Sequence, residues 1–392
     1  MRFDENLITS ILDTDLYKLS MGAVIFHNFP NVKVRYEFIN RDKTRKFPFG
    51  FEEELIRQIE LLSFLRLTEK EKEWVNANLP YLRPTFIDWL ASFRFNPKEV
   101  KVQQSNGELS VMIEGPWYKT IYWEVPLLSL ISEIYFRFTK HNKEHDWEKR
   151  IIKKAKNLSS SNCHWMEFGT RRRYSFEVQD RVVDIMKDFA GFEGTSNPYL
   201  ARKYGTPCKG TYGHEVIMAL SAKYGVQRAD DEWLTYWTDY YGQNLSVALT
   251  DTFTTNLFLN NCFLGWIHEI EGLRQDSGDP ETWADTKILP VYKKYGVKTQ
   301  EKTFIFSDKL TDDKYKKLDI KYRKIVKPIG GIGTFLSNDV GASPLEIVIK
   351  ITAADFGEGF KPVIKLSDDP NKASGDPHTI KQVLITVGLN EA

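Results

Sequence analysis

The chain of 392 residues carries 54 Lys and Arg against 53 Asp and Glu, a net charge of +1, with 42% hydrophobic and 27% charged residues. That balance belongs to a folded globular protein and excludes disordered and collagen-like chains. A length between one and three ordinary domains predicts two substantial cores with room for a cleft, and charge without a basic block predicts no nucleic-acid partner.

The first residues, MRFDENLITSILDTD, put acidic side chains where a signal peptide needs an apolar run, so no export is expected. Val32, Val34, Tyr36 and Phe38 alternate with Lys33, Arg35 and Glu37, the pattern of a strand with one buried face. Val100 and Val102 lead through Asn106-Gly107 to Leu109, Val111 and Ile113, which predicts a hairpin. Ile121 to Tyr135 reads as a largely buried helix joining two domains. Within it, Val125 to Phe136 is too short to span a bilayer and is interrupted by Ser129, Ser132 and Glu133, so no membrane partner is expected.

Beyond about residue 158 the pattern becomes βα repetition. Strand candidates are Cys163 to Phe168, Gly191 to Gly194, Thr206 to Gly210, Leu245 to Thr250, Glu269 to Arg274, Thr303 to Ser307 and Lys324 to Ile329. The fold class expected is therefore α/β, with an α/β barrel-like domain over 159–340. An N-terminal α+β sheet domain over 1–158 is expected to be completed by 341–392, where LEIVIKI and KPVIKLSDD read as a hairpin. Cys163, Cys208 and Cys262 form no C-x-x-C pair, which predicts reduced thiols and a cytoplasmic location.

Polar clusters follow the strands: GTRRR, GTSN, GTYGHE, TDT, RQDSGDP, SDKL and GGIGT. In a βα barrel such positions converge on one face, where active sites form, and this convergence predicts an enzyme. His214 stands where GTYG gives way to the helical run Val216, Ile217, Leu220. A helix start there would stabilise an anion or a phosphate carried on the ring, although a lone histidine is also a common surface or capping residue.

Arg171, Arg172 and Arg173 read as opening a helix with the stripe Val178, Val182, Met186, and arginine forks suit phosphate; the alternative is a solvated helix end. Asp276 is a candidate for Mg²⁺ or sugar hydroxyls, with Arg274 beside it, whereas Asp279 before Pro280 caps the next helix. Asp251 in TDT is open to both readings. Gly330, Gly331, Gly333 and Thr334 look like a phosphate cradle but match neither the dinucleotide nor the Walker A fingerprint.

Taken in order, ILDTDLYKLSM, VRYEFINR, GPWYKTIYWEVPLL, EFGTRRRYSFEVQ, GTSN, GTYGHE, ALTDTF, GLRQDSGDP, IFSD, GIGT and KPVIKLSDDPNK resemble the nicotinate phosphoribosyltransferase family across nearly the whole chain. The resemblance implies an irregular α/β barrel with an N-terminal sheet domain. It implies synthesis of nicotinate mononucleotide from nicotinate and phosphoribosyl pyrophosphate for NAD salvage, coupled to ATP hydrolysis through a phosphohistidine at the position of His214. Carried over residue by residue, Tyr17 and Phe168 would sandwich the pyridine ring, and Thr211 and Arg274 would lie near the nicotinate carboxylate. Asp251 would bind substrate, Gly331, Gly333 and Thr334 would hold the ribose 5-phosphate, and Arg171 would stand near the phosphates.

Ser196 stands where amide-using relatives have aspartate, which favours the acid substrate. Gly213 departs from the alanine common before the histidine and leaves the histidine in place. The resemblance further implies Mg²⁺ with the two polyphosphate substrates, no organic cofactor, and a monomer or homodimer; the metal ligands are not assigned. Sugar chemistry falls to the charges of Arg171, Arg274 and Asp276, through a transition state of oxocarbenium character. Enzymes using the amide or quinolinate, and a non-catalytic sensor of pyridine nucleotides, are the competing readings.

Overall fold

The computed structural model describes residues 3–389, so the extreme ends of the expected domain ranges, 1–2 and 390–392, lie outside the described residues. Among the described residues eleven strands are present. The first three are β1 (Lys33–Asn40), β2 (Val100–Ser105) and β3 (Glu108–Pro116). A central set comprises β4 (Trp165–Glu167), β5 (Phe192–Thr195), β6 (Val247–Leu249), β7 (Gly272–Gln275), β8 (Thr303–Phe306) and β9 (Lys327–Ile332). Near the end lie β10 (Ile347–Asp355) and β11 (Lys361–Pro362).

An antiparallel sheet runs β11-β10-β1-β3-β2. In β1, Val34, Tyr36 and Phe38 are buried while Lys33 and Glu37 are exposed, the alternation a half-covered sheet requires. At the β2–β3 turn both Asn106 and Gly107 take positive φ, 51° and 75°, and Ser105 pairs with Glu108. This is the tight hairpin that Asn-Gly encodes.

The parallel sheet runs β5-β4-β9-β8-β7-β6. Six of the seven strand candidates form it. The seventh, Thr206 to Gly210, does not become a strand: it makes one parallel bridge, Thr195 with Cys208. Pro207 has no N–H to give a ladder, and only its carbonyl is used, by the Thr195 N–H at 3.2 Å. Beyond that gap the Leu249 N–H at the β6 edge donates to the Tyr212 hydroxyl at 3.3 Å instead of to a strand. The barrel is therefore irregular and open on this side.

The helix Glu124–Phe138 packs under the parallel sheet's polar loops, and its polar residues serve them. The Ser129 hydroxyl donates to the Thr170 carbonyl at 3.0 Å, Ser132 donates to the Arg173 carbonyl at 2.7 Å, and Glu133 accepts the Phe176 N–H at 2.9 Å. Among the described residues no helix is long and apolar enough to cross a membrane. The arginine triplet does not open the next helix. Thr170–Arg172 form a separate 3₁₀ turn, and the helix Phe176–Met186 begins after Ser175, whose hydroxyl caps the Val178 N–H at 3.2 Å.

The glycine run is also different from a simple loop, because Gly330 and Gly331 lie inside β9. A Cβ on Gly330 would stand 2.7 Å from the Tyr315 ring, and one on Gly331 2.7 Å from the Phe168 ring. Close packing explains these two glycines; Gly333 and Thr334 alone lie past the strand end.

Candidate active site

One cavity of about 830 Å³ opens at the carboxyl ends of the parallel strands. The N-terminal helix Leu16–Asn28, β10 and the chain beyond β11 close its other sides. His214, Asp276, Arg171 and Arg274 line it, as do the rings of Tyr17 and Phe168. Ser196, Gly331, Gly333 and Thr334 reach the same cavity. Thr211 and Asp251 do not line it. The Thr211 carbonyl accepts the Ser20 hydroxyl, and Asp251 is buried behind the histidine.

His214 is the first residue of the helix His214–Tyr224, with Gly213 extended before it. Its Nδ1 lies 3.1 Å from the Thr252 hydroxyl. Nε2 lies 2.9 Å from Lys365 Nζ, 3.0 Å from Asp276 Oδ2 and 4.0 Å from Asp251 Oδ1. Burial, and then the Lys365 ammonium, push the ring down to about 4 against the opposing pull of Asp251 and Asp276, so it is neutral at pH 7. A neutral imidazole offers one bare nitrogen, which is what nucleophilic work needs.

Burial raises the Asp276 carboxyl, but His214, Arg274 and Lys365 more than offset this and hold it well below the usual carboxylate range. Its Oδ1 accepts the Ser307 hydroxyl at 2.9 Å. Arg274 donates to the Tyr212 carbonyl at 3.3 Å and keeps 4.0 Å from Asp276. Asp251 Oδ2 accepts from Ser277 at 2.5 Å and Lys365 at 3.3 Å, while its Oδ1 has no partner.

Arg171 stands over the Tyr17 ring at 5.7 Å and keeps 3.8 Å from Asp15 and 3.6 Å from Glu124. These loose pairings leave donors for an anion. The Ser196 hydroxyl donates to Asp15 at 2.6 Å, so a carboxylate already sits beside the serine. Burial raises Asp15, and Arg171 opposes that. Burial and then Lys365 push Lys350 down to about 8, and burial with Arg171 and Arg41 pushes Arg172 to about 10. All of these cations line the cavity, and a polyanion would relieve their crowding.

Beneath the walls, Arg173 makes a bidentate pair with Asp13 at 2.6 and 2.7 Å, and Asn197 donates to the same carboxylate at 2.8 Å. Buried Glu167 accepts from the Gly169 N–H and the Thr195 hydroxyl at 2.5 and 2.6 Å, tying the loop of Phe168 to the loop of Ser196. Lys18, wholly buried, pairs with Glu124 at 2.6 Å and with Glu215, which joins the Tyr17 helix to the His214 helix.

Sequence reasoning missed Lys365, Lys350, Glu124, Lys18 and Asp15. Two left a signal, since Lys18 and Glu124 are charges inside otherwise apolar helical runs. Lys365 left none, because KPVIKLSDD reads as an ordinary strand.

The sequence model of the nicotinate phosphoribosyltransferase (NAPRTase) N-terminal domain matches residues 12–132, and that of the nicotinate phosphoribosyltransferase (NAPRTase) family matches 163–387. The nicotinate phosphoribosyltransferase of Chromohalobacter salexigens is 40% identical over 380 residues, 96% of this chain and 97% of the relative. The Escherichia coli enzyme of the same name is 37% identical over 386 residues, 95% and 93% of the two chains. Among solved structures, the Porphyromonas gingivalis nicotinate phosphoribosyltransferase superposes with TM-score 0.94 at 37% identity, over 97% of this chain and all of that one. With both parts of the chain matched and the fold reproduced end to end, the chain belongs to the nicotinate phosphoribosyltransferase family.

Proposed function

We propose that the chain transfers the phosphoribosyl group of phosphoribosyl pyrophosphate to the ring nitrogen of nicotinate, releasing pyrophosphate and forming nicotinate mononucleotide for NAD biosynthesis. ATP hydrolysis is coupled to the transfer through a phosphoryl group carried on His214. The observation that carries this reading is the neutral His214, its Nδ1 anchored on Thr252 and its Nε2 at the edge of a cavity rich in cations.

Tyr17 and Phe168 offer the two aromatic walls for a pyridine ring. Arg274, with its Nε free of a partner, suits the nicotinate carboxylate. Gly333 and Thr334 suit the 5-phosphate, and Arg171 and Lys350 suit the pyrophosphate. Positive charge around the departing pyrophosphate favours departure, and the fixed rings hold the nucleophile in line. Arg171 also balances Asp15, so Ser196 faces no net negative charge and the acid remains the favoured substrate.

Mg²⁺ arrives with the polyphosphates. Among the described residues no group of three His, Cys, Asp or Glu could hold a metal. Mg²⁺ needs only one or two carboxylates beside phosphate oxygens, and the half-open Asp276 carboxylate fits that demand. When bound, the ion neutralises charge on the leaving pyrophosphate. A cytoplasmic monomer or homodimer completes the reading.

The test is turnover of nicotinate, nicotinamide and quinolinate side by side with phosphoribosyl pyrophosphate and MgATP, in wild type and His214→Asn. Nicotinate mononucleotide from nicotinate, with its ATP dependence lost in the variant, is expected. A different preferred pyridine overturns the substrate assignment, and unchanged ATP stimulation in the variant overturns the coupling.

A further inference from the structure

We infer that Lys365 is a catalytic residue of the phosphorylation step: its ammonium holds the bare Nε2 of His214 before ATP binds and then passes to the phosphoryl oxygens that arrive there. This rests on the phosphohistidine reading of the preceding section.

Lys365 is a buried lysine whose shortest polar contact is not a carboxylate. Its Nζ lies 2.9 Å from His214 Nε2 and 3.3 Å from Asp251 Oδ2, and its side chain is 4% exposed. Two groups face Nε2: the ammonium, which only donates, and the Asp276 carboxylate at 3.0 Å, which only accepts. The ammonium, the nearer of the two, calls for the tautomer with the proton on Nδ1, facing the Thr252 hydroxyl at 3.1 Å. Charge counting agrees. Asp251 and Asp276 are matched by Lys365 and Arg274, so a protonated ring would be surplus positive charge in a buried place.

The lysine is held by its own backbone. Lys365 and Ser374 exchange N–H to carbonyl bonds at 2.8 and 2.9 Å, and the Leu366 and Ser367 N–H groups donate to the Thr252 carbonyl at 3.0 and 3.3 Å. Thr252 therefore orients the ring with its hydroxyl and the lysine strap with its carbonyl. Farther along, Lys372 donates to the Asp276 carbonyl at 2.8 Å and to Asp308 at 2.5 Å, pinning the strap across the cavity mouth.

The step balances without an added acid or base. The Nε2 lone pair attacks the γ-phosphorus of ATP as Lys365 releases it. The bond from that phosphorus to the oxygen bridging toward the β-phosphate breaks, and ADP leaves with the electron pair. The ring keeps its proton on Nδ1, and the new phosphoryl group on Nε2 takes the Lys365 ammonium as its counter-charge.

The experiment is rapid-quench phosphorylation of the full-length protein by MgATP, read as acid-labile mass on the His214 peptide. It compares wild type, Lys365→Met, Lys365→Gln and Lys365→Arg, with thermal midpoints recorded for each. The account expects wild type to label, the neutral variants to label ~100-fold more slowly, and Lys365→Arg to recover part of the rate.

Neutral variants that fold and label within about threefold of wild type overturn the inference. A Lys365→Arg variant no faster than the neutral ones overturns it too. A wild type that carries no phosphate on His214 is a different failure, recognisable because the unmodified protein is itself silent. It removes the phosphohistidine reading and this role with it.

Discussion

Replacing Gly331 by alanine places a Cβ 2.7 Å from Cδ2 and 2.8 Å from Cε2 of Phe168, and 3.3 Å from Cβ of Ser307. Carbon atoms rest at ~3.5–4.0 Å, so the ring must retreat by ~1 Å. Its backbone cannot follow, because the Phe168 N–H is bonded to the Ile332 carbonyl at 2.8 Å and Glu167 is fixed by three side-chain and backbone donors. The ring therefore moves into the cavity and narrows the slot opposite Tyr17.

Over-packing of this size costs ~1–3 kcal/mol, and a tenfold loss of affinity corresponds to about 1.4 kcal/mol. Steady-state kinetics of Gly331→Ala should show KM for nicotinate raised ~10-fold or more, with a smaller change in KM for phosphoribosyl pyrophosphate. Gly330→Ala is the control, since its Cβ meets Tyr315 at 2.7 Å on the side away from the cavity. Its stability should fall by a similar amount with KM almost unchanged. Equal KM values in the two variants would refute Phe168 as a wall of the pyridine site.

Ser196→Asp sets a new carboxylate against Asp15, which now accepts the serine hydroxyl at 2.6 Å; KM for nicotinate should rise ~10-fold or more, measured against the unsubstituted enzyme. Arg173→Met strands the buried Asp13 carboxylate, and urea unfolding should show a loss of ~3–5 kcal/mol. His214 titrates at about 4 in the folded chain against 6.5 when exposed. The folded state thus binds fewer protons than the unfolded between those values, and stability rises with pH across that window. The contribution, ~3 kcal/mol, is complete above about pH 6.5 and gone below about pH 4. Unfolding midpoints of His214→Asn should be flatter than wild type over that range.

The sequence makes legible those features that follow from local periodicity. The β1 alternation, the Asn106-Gly107 hairpin, the buried helix Glu124–Phe138 and the helix start at His214 all depend on neighbours in the chain. Convergence of GTRRR, GTSN, GTYGHE and RQDSGDP was also legible, because parallel strands deliver their carboxyl ends to one face.

What was not legible depends on distant partners. Pro207 turned an apolar run into a single bridge, and Ser175 moved the helix start past the arginines. Gly330 and Gly331 answer to the rings of Tyr315 and Phe168, which no spacing reveals. Lys365 meets His214 across 151 positions, brought there by a strap whose own pattern reads as one arm of a hairpin.

The central claim is that pyridine transfer and ATP hydrolysis share one site organised around His214. A single quenched reaction holding nicotinate, phosphoribosyl pyrophosphate and MgATP, with nicotinate mononucleotide and ADP quantified together over time, tests it directly. The account predicts that both accumulate, that ADP formation rises when nicotinate is added, and that His214→Asn abolishes this linked ADP release. Nicotinate mononucleotide formed with no ADP, or ADP formation unaltered by His214→Asn, would contradict it.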